Sequence, residues 1–226
     1  MGVDPFEAAL VIVGIFGAVT LLWLGRPALL AGGRGRIPRA FEVAALEGAK
    51  VPLDARQPLA YLSERLTRLG FTVADLPVRV PAVSGLGQQL LLVPFVHLDE
   101  RALFVMGIES RLVGESQLML HILTPISGRR RVETSTLAGL EHVVRPPGVE
   151  VHIALDASTV DEIWSRHRLA LTRYERASRE LIEPEDWRRH AAVAYEAWLQ
   201  AALRSNRITL DGRGDAYRIL GQPRPL

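Results

Sequence analysis

The chain has 226 residues, 48% of them hydrophobic and 23% charged, with a net charge of +2. That composition excludes a disordered chain, and so small a basic excess gives no case for a nucleic-acid partner. With no cysteine, disulfides, thiolate catalysis and cysteine-ligated zinc or iron–sulfur centres are excluded too.

Residues 8–24 read AALVIVGIFGAVTLLWL, without a charge or a proline. About 17–19 apolar residues at ~1.5 Å rise cover roughly 26–29 Å, enough for a bilayer core. A cleaved signal peptide needs a basic start, a shorter apolar core and small residues at its cleavage site. Here the start carries Asp4 and Glu7, and residues 27–31 lack the Ala-x-Ala spacing. The stretch therefore predicts an uncleaved transmembrane helix over 8–25, with Trp23 at the interface. Gly14 and Ala18 form a small-xxx-small pair that suits close helix approach.

Basic residues follow the span and none precedes it: Arg26, Arg34, Arg36 and Arg39. The positive-inside rule places them in the cytoplasm, facing anionic lipid headgroups. The expected arrangement is a single pass of the inner (plasma) membrane. Residues 1–7 are translocated and the remaining chain is cytoplasmic. Residues 26–39, with Pro27, Gly32, Gly33, Gly35 and Pro38, read as a flexible basic tether. A folded domain then occupies 40–220, and 221–226 form a tail.

Within the domain, Leu59, Leu62, Leu66 and Leu69 recur at helical spacing after Pro58, and Gly70 supplies a stop. Strand patterns follow over 71–74, 78–83, 89–96, 102–108, 117–123 and 131–136, joined mostly by short turns. Such connections predict an antiparallel meander. Pro94 demotes its run to an edge, a bulge or a strand end. Residues 149–155 alternate cleanly between apolar and polar. A helix over 159–181 follows, with Asp156 or Ser158 as cap and Ser158–Asp161 as a loose capping box. A second helix runs from Pro184 to Arg204 with Trp187, Ala191, Ala194, Tyr195, Trp198 and Ala202 as its apolar stripe. A short joint predicts that the two form an antiparallel helical hairpin on the sheet. Residues 208–210 and 216–220 suggest a terminal β-hairpin. The expected class is α+β: an antiparallel sheet of about five to seven strands covered on one face by an N-terminal helix and a C-terminal helical pair.

No His-Glu-x-x-His, Gly-x-Ser-x-Gly or kinase signature is present. The polar candidates for chemistry are His97, Asp99, His121 and Glu133, which a pocket between sheet and helical pair would have to gather. His121 belongs to the strand face opposite Leu118, Leu120 and Ile122. His142 and His152 lie near Glu141 and Glu150, but no spacing matches a zinc motif. Neither a metal nor a cofactor is implied. Arg129, Arg130 and Arg131, beside the hydroxyls of Thr134, Ser135 and Thr136, are a candidate anion-binding cluster. All but one of the 27 basic side chains are arginine, a planar bidentate donor. Trp164, Trp187 and Trp198 fit core positions. Two functions follow. One is a membrane-tethered, non-enzymatic scaffold whose cytoplasmic domain recruits a protein partner or self-associates. The other is an anchored enzyme or ligand sensor.

Overall fold

The computed structural model describes residues 36–41, 43–45, 51, 53–81, 89–109, 117–136, 144–155, 157, 159–210, 214 and 216–220. The expected membrane span, segment 1–7, Arg26, Arg34, His142 and the tail 221–226 lie outside them. No helix among the described residues is long and apolar enough to cross a membrane.

Among the described residues two sheets and three α-helices make an α+β fold. The smaller sheet contains β1 (Arg36–Pro38), β10 (Ile208–Leu210) and β11 (Ala216–Ile219), with β11 central and both pairings antiparallel. The larger sheet is built on β5 (Gln89–His97), β6 (Ala102–Glu109), β7 (Gln117–Ile126) and β8 (Arg130–Ser135), paired in sequence order. On one flank β4 (Val78–Pro81) pairs with β5, and β2 (Ala44–Ala45) pairs with β4. The short β3 (Thr72–Val73) pairs with the far half of β5. On the other flank β9 (Val149–Ile153) runs parallel to β8. The sheet is thus mixed rather than antiparallel throughout, and it has eight strands. Arg36–Pro38, inside the segment read as tether, form a strand of the domain.

β5 is central despite Pro94, which pairs with Val105 in β6. The Pro94 carbonyl accepts from Ala74 N at 3.0 Å. A strand residue directs its own N–H and C=O to the same side, so the missing donor of Pro94 faces the gap between β3 and β4. No bond to β6 is lost, and the proline is tolerated in mid-sheet.

Alternation along the strands creates two apolar faces. Leu91, Val93, Phe95, Phe104, Met106, Leu120 and Ile122 pack against α1 (Leu53–Arg68) and α2 (Val160–Leu171). Leu92, Val96, Leu103 and Leu123 pack with Trp187 of α3 (Trp187–Arg204) and with Ile182. The C-terminal helices therefore lie on opposite faces of the sheet and do not form a hairpin. α2 stops at Leu171, short of the predicted 181, and the chain from there wraps over the turn end of the sheet. Ser127 N donates to Ser178 O at 2.8 Å, and Glu180 N to Pro125 O at 2.9 Å. Arg176 and Arg179 reach Asp99 and Glu100 in the β5–β6 turn. These bonds absorb polar groups that a longer helix would have used internally.

The cap of α2 is Thr159, not Asp156 or Ser158. Its hydroxyl accepts from Glu162 N, and the Glu162 carboxylate accepts from Thr159 N, a reciprocal capping box. α2 is clamped to α1 by Arg65, which donates through Nε and Nη2 to Asp161, both at 2.7 Å.

α1 ends in a Schellman turn, with Phe71 N bonded to Leu66 O and Gly70 N to Thr67 O, each at 3.0 Å. Gly70 has φ +92, and a Cβ there would lie 3.0 Å from His97 Nε2. Gly70→Ala is expected to cost about 1–2 kcal/mol through left-handed strain alone. A denaturation midpoint unchanged from the parent would refute that cost.

Candidate functional site

The four polar candidates do not share a cavity. His97 ends β5 on the face that carries α2. Its ring stacks on Trp164 with centroids 5.5 Å apart and meets Phe71 edge-on at 5.0 Å. Burial holds its pKa below 6.5, although Glu100 and Asp99 oppose the shift. Asp99 sits in the adjacent turn, 86% exposed, paired with Arg176 at 3.2 Å. These two residues hold the turn and the wrapping connector.

His121 and Glu133 occupy the other face. They are diagonal neighbours, because His121 lies opposite Ser135 and Leu123 opposite Glu133. His121 Nε2 is 3.9 Å from Glu133 Oε2, and Glu133 also accepts from Arg131 Nε. Burial lowers the His121 pKa more than Glu133 raises it. At neutral pH, Glu133 is thus paired with a guanidinium beside a neutral imidazole. The hydroxyls beside the arginine run are dispersed too. Thr134 is buried against α2, and Thr136 bonds the backbone of Leu120.

A residue not singled out from the sequence is the most deeply buried titratable group in this region. His167 of α2 is 0% exposed. Its Nε2 lies 3.0 Å from Thr124 Oγ1 and its Nδ1 2.9 Å from Thr134 Oγ1. In the neutral ring one nitrogen donates to a threonine hydroxyl and the other accepts from one. Burial first, then the charges of His121, His152 and Arg179, push its pKa down to about 3. Its signal in the sequence is position, since 160, 163, 164, 167 and 171 are one helical stripe.

Glu150 on β9 forms a further polar cluster. It accepts from Tyr174 Oη at 2.8 Å and from Arg173 at 2.9 Å, and lies 2.7 Å from His152 Nε2. Burial raises the Glu150 pKa, but bonds from Tyr174 and His152 outweigh it and hold the carboxyl below its usual value. The cluster ties the chain after α2 to the sheet edge. Among the described residues no three His, Asp or Glu side chains come together as a metal site.

Among the described residues a concave feature lies elsewhere, as a groove between α3 and the β7–β8 end of the sheet. It encloses about 530 Å³, within the range of binding clefts. Its floor is apolar, with Leu123, Pro125 and Pro146. Its rim carries Arg129 and Arg130 from the hairpin turn and Arg189 and Arg204 from α3, all exposed. The predicted run Arg129–Arg131 thus reaches a concave surface, joined there by residues 60 or more positions away in sequence (Arg189 follows Arg129 by that number).

No family model matches the chain, and no curated protein or solved structure is significantly similar to it. What the fold and groove define is an α+β domain with a helix-flanked mixed sheet and an arginine-rimmed cleft.

Of the residues assigned to the membrane surface, Arg36 lies in β1 opposite Arg218. The exposed Arg39 donates to Gly214 O at 2.9 Å.

Proposed function

We propose that the chain is a single-pass, membrane-anchored interaction protein rather than an enzyme. Residues 8–25 span the inner membrane with the N-terminus out, and the α+β domain recruits or braces a protein partner on the cytoplasmic side. The observation that carries this reading is the groove: a wide cleft with an apolar floor and a charged rim suits surface recognition. Acid–base catalysis needs a proton-transfer pair held at one reacting centre. His97 with Asp99 and His121 with Glu133 lie on opposite faces of the sheet, each pair tied to neighbouring side chains.

The anchor is supported by the length of the apolar stretch and by the arginines that follow it. It predicts that the chain stays in the membrane pellet after alkaline carbonate treatment. It also predicts that a C-terminal fusion to a fluorescent protein glows, whereas a phosphatase fusion is inactive. A chain released by carbonate, or an active periplasmic phosphatase fusion, would reverse the assignment. For the interaction role, the full chain purified from detergent-solubilised membranes is expected to carry a stoichiometric partner or to self-associate. A monodisperse monomer without a partner would contradict it.

A further inference from the structure

The geometry points to an extended acidic peptide segment of a partner protein as the occupant of the groove between α3 and the β7–β8 hairpin. This deepens the proposed interaction role and rests on it for the existence of a protein partner. Four features select the occupant.

The first is charge. Among the described residues Arg129 and Arg204 have no carboxylate within ion-pair distance, Arg189 has Asp186 at 2.9 Å, and Arg130 lies over the Tyr174 ring at 5.8 Å. Glu180 is the single carboxylate among the described residues of the lining. Guanidinium forks take carboxylates bidentately, so the rim is complementary to aspartate and glutamate.

The second is length. Arg189 and Arg204 are 15 positions apart on α3, roughly 22 Å along the helix at ~1.5 Å per residue. One small anion cannot bridge that span. An extended peptide covers it with about seven residues at ~3.3 Å each.

The third is the section of the groove. Leu123, Pro125 and Pro146 lie buried at the floor, whereas the rim arginines are exposed. A strand-like peptide alternates its side chains between two faces. Apolar residues then enter the floor while carboxylates meet the rim. Val193, 59% exposed on α3, provides additional apolar surface along the lining. A flat bilayer surface would meet the exposed rim but leave this recessed floor unfilled.

The fourth is an unmade bond. His190 Nε2, in the groove lining, is buried with no hydrogen-bond partner. A peptide backbone offers both a donor and an acceptor at such a position.

The test is a titration of the full chain in detergent micelles against a fluorescein-labelled peptide of alternating glutamate and valine. A lysine–valine peptide is the control, and vesicles containing phosphatidylglycerol form a separate arm. The glutamate peptide is expected to bind, more weakly as salt rises, and the lysine peptide is not. Arg129→Gln combined with Arg204→Gln should weaken binding about tenfold, from two charge-assisted contacts. Val193→Glu should weaken it by at least as much, by placing a carboxylate among the acidic side chains. All three positions are exposed, so thermal melts of the variants should match the parent. Failure of the glutamate peptide to bind overturns the inference, as does binding that the variants leave intact. If the variants abolish vesicle binding or self-association while the peptide never binds, the occupant is the bilayer or a second copy. The titration is independent of the carbonate and fusion assays, so its failure leaves the anchor standing.

Discussion

Replacing Phe71 with alanine is expected to remove a large share of the stability of the folded domain. Phe71 is 1% exposed and stands where α1, β5, β6 and α2 meet. Its ring lies edge-on to Trp164 at 4.8 Å, to His97 at 5.0 Å and to Phe104 at 5.6 Å. Truncation removes its transfer free energy and leaves a cavity that three large neighbours, themselves fixed on separate elements, cannot close. Buried Phe→Ala changes cost about 3–5 kcal/mol, against about 5–15 kcal/mol for an entire domain. Phe71→Leu keeps most of the volume and should cost clearly less. Tyr61→Ala, on the outer face of α1 and 67% exposed, should shift stability by no more than about 0.5 kcal/mol. The measurement is urea denaturation followed by tryptophan fluorescence, since Trp164 reports directly on this cluster. A Phe71→Ala midpoint close to that of Tyr61→Ala would mean that the cluster does not hold α1 and α2 to the sheet.

The elements legible in the sequence were those whose determinants are local. β5 to β8 follow from alternation and from turns with left-handed positions, at Arg101 before β6 and at Gly128 and Arg129 before β8. α1 and α3 follow from leucine and tryptophan stripes. What escaped was set by distant partners. The parallel pairing of β9 with β8 leaves no local mark, because a half-buried strand alternates alike in either direction. The splitting of α2 and α3 between two faces depends on the connector, whose bonds to Pro125, Ser127, Asp99 and Glu100 lie far off in sequence. Only Arg129–Arg131 announced the groove. Its other wall, at 189, 193, 197 and 204 on α3, is a second stripe beside the tryptophan stripe, and it becomes meaningful only once the hairpin is placed opposite.

The buried position of His167 predicts a steep loss of stability in acid. Its folded pKa of about 3 lies below the ordinary 6.5. Between those values the unfolded chain binds a proton that the folded chain refuses. Stability therefore rises with pH, by about 1.4 kcal/mol per pH unit for this one proton. The contribution is full above pH 6.5 and is lost as the pH falls towards 3. Burial lowers His97, His121 and His190 in the same direction, so the wild-type slope should exceed one proton. His167→Leu should flatten the dependence by about one proton while lowering stability at pH 7 by about 2–6 kcal/mol. That second cost arises because Thr124 and Thr134, both 0% exposed, would each lose a buried hydrogen bond worth about 1–3 kcal/mol. Converting both threonines to valine in the His167→Leu background should recover most of it, since an all-apolar trio leaves nothing unsatisfied. Denaturation midpoints measured from pH 7 to pH 4 on the three proteins separate the two effects. An unchanged slope in His167→Leu would show that the acid sensitivity resides in the other histidines, and a triple variant no more stable than the single would show that the trio is held by packing rather than by its hydrogen bonds.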